Sequence, residues 1–214
     1  MSQYLSEPSV VADAYADLRT RVTKLLTGLS AEKAAARSAH CPAWTVKDVL
    51  AHMVGVPEDI LAGNLEGVAT DAWTQRQVER HAADSVDDLL AIWAGLDSTL
   101  NGLVPNLPNP TVSQLLFDQV QHEHDMRHAL GMPGDRDSAA VAVGEGFVRF
   151  FLSQDKRREV VALADSPVKG FEFIRSIGGR RSAEQIAAAG LDVEAVTTFL
   201  SNALFSLPSE TVGD

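Results

Sequence analysis

Four stretches of the chain repeat apolar residues at the three- and four-residue spacing of an α-helix. The first runs from Val11 to Leu29, and the third runs from Leu89 to Leu103. Residues three and four apart fall on one face of a helix, so each stretch predicts a helix with one apolar stripe. Helices with such stripes pack against one another in bundles. The predicted fold class is therefore mainly α, with a four-helix bundle at its centre.

The second of these helices is predicted to begin at Thr45. Thr45 and Asp48 have the spacing of a capping box, in which a hydroxyl and a carboxylate satisfy the free N–H groups of the first turn. The inward stripe of this helix consists of Val49, His52, Met53 and Val56. His52 is therefore expected to face the core.

The fourth helix carries the segment Asp118 to Gly131, which holds three of the six histidines and two aspartates. Asp118 and His122 are four residues apart, so both side chains lie on one helical face and can chelate a metal. The ordinary interpretation of an isolated pair of this kind is a solvated helix face. His52, on another amphipathic helix, offers a third ligand and favours the metal site.

The rest of the chain is less regular. Residues 64–83 are predicted to form a long connection with a helical turn or two around Gln75 to His81. After Pro133 we expect a small α+β domain with a short β-like run from Glu159 to Ala164. A last helix with Val193, Val196, Leu200, Leu204 and Leu207 is expected to stop at Pro208. The predicted domains are 1–133, a metal-binding bundle, and 134–214.

Charge and hydropathy narrow the classes of partner. The net charge is −11, and a nucleic-acid partner is not expected because duplex binding needs basic residues against the phosphates. No window approaches the run of about 18 apolar residues that a membrane span needs. The N-terminus has no basic stretch or apolar core of a signal peptide, which predicts a cytoplasmic protein.

Cys41 is the only cysteine, so an internal disulfide and a multi-cysteine zinc site are excluded. We expect metal ligands to be His, Asp or Glu. The position of Cys41 just before Pro42 and Trp44 favours a packed small residue over a catalytic thiol.

Three motifs resemble one known family. The segment from Trp44 to Met53 and the pattern Asp118-x-x-x-His122-x-x-Asp125-x-Arg127 resemble the mycothiol-dependent maleylpyruvate isomerase-like proteins of the DinB/YfiT superfamily. The C-terminal run Gly179-Arg180-Arg181-Ser182-x-x-Gln185-Ile186 is similar to that family's second-domain signature.

The resemblance implies a DinB-like four-helix bundle that holds a divalent metal, commonly Zn²⁺, through His52, Asp118 and His122. Imidazole and carboxylate suit zinc, and three protein ligands leave a fourth position open. Asp125 is expected to accept a hydrogen bond from a ligating histidine. The family position that matches Asp118 is more often glutamate.

His124 and His128 form a second pair at helical spacing. A rival triad is therefore His52, His124 and His128. The spacing of His122 to the rest of the family motif favours the first triad, and solvent exposure is the plain alternative for His124 and His128.

The resemblance also implies mycothiol as the co-substrate. A metal-bound thiol would attack a small electrophile, either in conjugation or in isomerisation of a double bond. Arg180 and Arg181 could clamp a carboxylate of thiol or substrate, with a surface pair at a helix start as the alternative. Trp44 could line the pocket or serve as a packing anchor.

Two other classes of function stay open on the sequence. One is a non-catalytic module that binds a metal or small molecule, and the other is a bundle without metal. The sequence allows a homodimer without determining the oligomeric state.

Overall fold

A computed structural model describes residues 2–201, 207–208 and 211–213. Within them lie twelve α-helices and one antiparallel sheet of two strands, so the mainly α fold class is confirmed. The helices are α1 (Pro8–Leu26), α2 (Ala31–Ala34), α3 (Val46–Ala62), α4 (Asp71–Arg80), α5 (Val86–Gly95), α6 (Asp97–Leu103), α7 (Thr111–Ala129), α8 (Ala139–Ser153), α9 (Arg158–Leu163), α10 (Gly170–Ile177), α11 (Ala183–Ala188) and α12 (Val193–Leu200). The strands are β1 (Arg37–Ser38) and β2 (Cys41–Thr45).

The chain forms two compact units. Unit 1 comprises Met1–Tyr15, Val104–Gln121 and Gly134–Asp214, and unit 2 comprises Ala16–Leu103 and His122–Pro133. The division passes through the continuous helix α7, between Gln121 and His122. The predicted domains 1–133 and 134–214 stay a prediction.

Helix α3 is the central element of unit 2 and packs against α4, α5 and β2. The predicted capping box of Thr45 and Asp48 is present at its start. Eleven of its seventeen residues are buried, among them His52 as predicted, so the helix is enclosed on most sides. Pro57 lies inside the helix, which continues to Ala62 and ends at Gly63 in the left-handed conformation.

Helix α4 occupies the segment that was expected to be mostly a connection. Thr70 caps its first turn, and the helix runs for ten residues. Its buried face consists of Trp73, Gln77 and Val78. The polar Gln77 interrupts the apolar stripe, which explains why hydrophobic periodicity alone underestimated this helix.

The polar connection after α1 contains the two strands. They pair antiparallel, with Arg37 opposite Thr45 and Ser38 opposite Cys41. Because β2 ends where α3 begins, the hairpin fixes Trp44 at the entrance to the helix that carries His52.

The third predicted helix is two helices. Helix α5 ends at Gly95, with Leu96 as its C-cap, and α6 begins at Asp97. The predicted stripe is nevertheless buried at Leu89, Trp93 and Leu100.

Unit 1 contains helices α8 to α12, and α8 packs against both α9 and α10. The expected β-like run from Glu159 to Ala164 is wrong, because this segment forms helix α9. Val160, Leu163 and Ala164 are buried there, which is helical spacing and not alternation. The valines that suggested a strand are packed on a helix instead.

The last helix, α12, is described as Val193–Leu200. The predicted position Leu204 lies outside the described residues, and Leu207 is not helical. Ser182 caps α11 through a capping box with Gln185. In the described part of the chain, no helix combines the length and apolar character needed to cross a bilayer.

Candidate metal centre

His52 and His122 meet in unit 2. Their ring centroids are 4.9 Å apart, and the ring planes are close to perpendicular at 82°. Both side chains are buried, His52 on α3 and His122 on α7. Helices far apart in sequence therefore bring two imidazoles to one point, as the sequence predicted.

Asp118 precedes His122 by one turn of the same helix, so α7 alone sets its position relative to that histidine. The residue is half-buried. His52, Asp118 and His122 each offer one ligand atom, and these atoms all lie within 4.8 Å of one another. Two imidazoles and a carboxylate at this separation fit a divalent transition metal such as zinc.

Each histidine has an oxygen beside its Nδ1 atom. The Nδ1 of His52 lies 2.7 Å from Oε1 of Gln77, and the Nδ1 of His122 lies 3.2 Å from Oδ2 of Asp125. The hydrogen-bonding oxygen of Gln77 favours the tautomer of His52 that carries its proton on Nδ1 and leaves Nε2 for a metal. Asp125 was expected from the sequence, whereas Gln77 was not.

Trp44 borders both histidines. Its ring centroid is 5.2 Å from that of His52 and 6.0 Å from that of His122. The side chain is half-buried, so one part of the indole packs on the histidines while another stays accessible. Trp44 is thus positioned both to anchor the packing here and to line a binding site.

Cys41 forms a second group of ligand type with His122 and Asp125, again with atoms within 4.8 Å. Its Sγ donates a hydrogen bond to Oδ2 of Asp125, at 3.4 Å. Cys41 is therefore a further candidate ligand, and the expectation that the ligands are His, Asp or Glu stays a prediction. That expectation overlooked the hairpin, which carries the single thiol to helix α7.

His124 and His128 belong to neither group of described residues. His124 is buried, so the alternative of solvent exposure is wrong for it. His128 is half-buried, and its ring centroid is 4.9 Å from that of His40. The geometry gathers His122, and not these two histidines, with His52.

Arg180 and Arg181 lie in unit 1 and are both buried, so the surface-pair alternative is wrong. Arg180 donates from Nη1 to the carbonyl oxygen of Gly178, at 2.7 Å. Arg181 makes a forked pair with Glu172, at 2.9 and 3.0 Å. Their role as a clamp for a carboxylate of thiol or substrate stays a prediction.

Two buried histidines and a carboxylate come together from separate helices of a mainly helical chain. The protein is therefore of the class of α-helical proteins with a candidate metal centre. The family model described as the mycothiol maleylpyruvate isomerase N-terminal domain matches residues 15–130. The chain belongs to this family, and the matched segment contains His52, Asp118 and His122. Comparison with curated proteins and with solved structures finds no match.

Proposed function

We propose that the protein is a metal-dependent mycothiol S-transferase or isomerase-like enzyme that acts on a small electrophile. The observation that carries this proposal is the gathering of His52, Asp118 and His122 within 4.8 Å in a member of this family. These three residues would hold a divalent metal, which we propose to be Zn²⁺. When bound, the metal would lower the pKa of a coordinated thiol and keep it as the reactive thiolate.

The residues of the chain have separate tasks in this proposal. Gln77 accepts from Nδ1 of His52, so the Nε2 atom of that histidine is available as a ligand, and the carboxylate of Asp125 lies beside Nδ1 of His122. Trp44 presents a partly accessible aromatic face beside the histidines, on which an apolar part of the substrate can pack. Burial of His52 and His122 keeps water from competing for the site.

The thiol chemistry has two outcomes. In conjugation, the sulfur of mycothiol forms a bond to an electrophilic carbon and stays in the product. In isomerisation, the sulfur adds to one carbon of a conjugated double bond, the remaining single bond rotates, and loss of the thiolate restores the double bond. Both begin with the same attack by sulfur, so one site can serve either.

The test is consumption of an electrophile by the purified zinc-loaded protein. We expect turnover only when mycothiol is supplied, and loss of turnover in His52→Ala because one ligand is removed. The matched control is His128→Ala, a half-buried histidine outside both groups, which should keep both metal and activity.

A different outcome would favour a binding module without turnover. That outcome is a protein that retains stoichiometric metal but shows no heat of mycothiol binding in calorimetry. Elemental analysis after metal-replete expression would contradict the proposal if it found far less than one metal per chain. Anomalous scattering at the zinc edge would locate the ion among the candidate ligands.

A further inference from the structure

A buried chain of polar side chains stands behind His52 in unit 2. Oε1 of Gln77 lies 2.7 Å from Nδ1 of His52, and Nε2 of Gln77 donates to Oδ2 of Asp59, also at 2.7 Å. Gln77 is 0% exposed and Asp59 is 2% exposed. Burial of both polar groups is costly unless each is hydrogen-bonded, so their orientation is tightly constrained.

Arg80 sets the direction of this chain from its outer end. It donates from Nη2 to Oδ1 of Asp59 and from Nη1 to Oε2 of Glu58, the second at 3.1 Å. Burial lowers the pKa of Arg80, but the hydrogen bonds to Asp59 and Glu58 outweigh this and raise it above its ordinary value. Arg80 is therefore a cation, and its guanidinium forms a salt bridge with the carboxylate of Asp59.

An ionised carboxylate accepts hydrogen bonds and donates none. Asp59 therefore requires the NH₂ group of Gln77, which turns the amide oxygen toward His52. Facing an oxygen, the imidazole must donate from Nδ1, so Nε2 carries the lone pair. The tautomer of His52 thus depends on the carboxylate of Asp59, which acts through the amide of Gln77.

Gly55 makes the approach of Gln77 possible. A Cβ atom built at residue 55 would lie 2.6 Å from Cβ and 2.8 Å from Cγ of Gln77, closer than real contacts allow. Because Gly55 has no side chain, α4 comes near enough to α3 for the amide of Gln77 to reach the imidazole of His52, one turn before Gly55.

We propose that Gln77 is a positioning residue, which fixes His52 in the Nδ1–H tautomer and aims its Nε2 lone pair at the metal. The proposal rests on the proposed function only in taking His52 as a ligand. Asp59 and Arg80 act through Gln77 by fixing its amide.

The test uses the full-length protein, first without metal. Long-range ¹H–¹⁵N NMR of ¹⁵N-histidine-labelled protein distinguishes the two tautomers, and His52→Ala assigns the His52 signals. We expect the Nδ1–H tautomer in the wild type and its loss in Gln77→Met, which keeps the length of the side chain but removes the acceptor. Zinc affinity, measured by competition with a chelator, should fall by about 10–100-fold, as for other partners of ligating histidines.

Two further variants sharpen the result. In Asp59→Asn, Arg80 takes the amide oxygen and the NH₂ group faces Gln77, so the glutamine amide should flip and His52 should change to the Nε2–H tautomer. Gln77→Glu keeps an acceptor toward His52 and should retain the Nδ1–H tautomer of the wild type. Gln75→Met, at an exposed position of the same helix, is the matched control and should change nothing.

The proposal is overturned if folded Gln77→Met or folded Asp59→Asn retains both the Nδ1–H tautomer and wild-type zinc affinity. Neither readout requires mycothiol. A protein that shows the expected tautomers but no thiol-dependent turnover would therefore refute the proposed enzyme and leave this inference standing. If His52→Ala binds zinc as the wild type does, His52 is no ligand and the inference falls.

Discussion

Asp118 holds its carboxylate on a side chain one methylene shorter than that of glutamate. It lies one turn before His122 and is half-buried. We expect Asp118→Asn to weaken zinc binding by at least about tenfold, or roughly 1.4 kcal/mol, because a charged ligand becomes neutral. Asp118→Glu should bind zinc at least as well as the wild type. Competition titration measures both, and equal affinity of the asparagine variant would contradict the assignment.

Cys41 allows the two candidate ligand groups to be separated. His122 belongs to both groups, but Cys41 belongs only to the one with Asp125. If His52, Asp118 and His122 hold the metal, Cys41 is not a ligand, and Cys41→Ser should leave zinc affinity unchanged within about twofold. A twofold change in Kd corresponds to roughly 0.4 kcal/mol of binding free energy. In the cobalt-substituted protein, a thiolate-to-cobalt absorption band should appear only after mycothiol is added. A band before addition would mean that Cys41 is a ligand.

Sequence reasoning found some residues of the site and missed others for physical reasons. His52 and His122 could be predicted because helical spacing and the family motif place each on an inward face. Gln77 was missed because it lies in a segment with weak periodicity, and a lone glutamine carries no ligand signal. Cys41 was discounted because the hairpin that turns it toward Asp125 has strands of only two and five residues.

Helices α3 and α4 owe their close contact to Gly55. Gly55→Ala should lower the free energy of unfolding by about 1–3 kcal/mol, as for other overpacked cores, because its Cβ would collide with Gln77. The control is Gly95→Ala at the exposed end of α5, where a Cβ atom meets nothing within 4 Å. This control should raise stability by about 0.4–1 kcal/mol. Denaturant unfolding measures both, and an unchanged stability of Gly55→Ala would refute the contact.

Elements with an uninterrupted apolar stripe were predicted well, and short or mixed ones were not. Helix α1 follows its stripe closely, with Val11, Leu18 and Val22 fully buried. Helix α9 was assigned as a strand because two adjacent valines outweighed the spacing of its buried residues in six positions. Over so short a segment, residue type and periodicity conflict, and packing decides between them.

At the scale of the whole molecule, acid should lower the free energy of unfolding by protonating particular carboxylates. Hydrogen bonds from the Arg157 side chain hold the pKa of Asp155 well below its usual range. A carboxyl whose folded pKa is depressed stabilises the fold above its unfolded pKa of about 3.9, and this stabilisation is lost as pH falls below that value. Asp155→Asn should therefore unfold at lower denaturant than the wild type at pH 7.

The same two proteins should approach equal unfolding midpoints as the pH is lowered below about 4, because Asp155 then binds a proton in the unfolded chain before it does so in the folded protein. Denaturant titrations at several pH values measure the difference. Asp137→Asn is an exposed aspartate outside this ion pair and serves as the control, with no change expected at any pH. A constant difference between wild type and Asp155→Asn at all pH values would contradict the role of the ion pair.

The glycine at position 55 also has a consequence for how related chains can vary. Because Gln77 occupies the space that a side chain at position 55 would need, neither position 55 nor position 77 can change freely while the other stays as it is. Chains that carry alanine or serine at position 55 should have a smaller residue at 77 and should satisfy the histidine at 52 in another way. Substitutions at the two positions are therefore expected to occur together across the family.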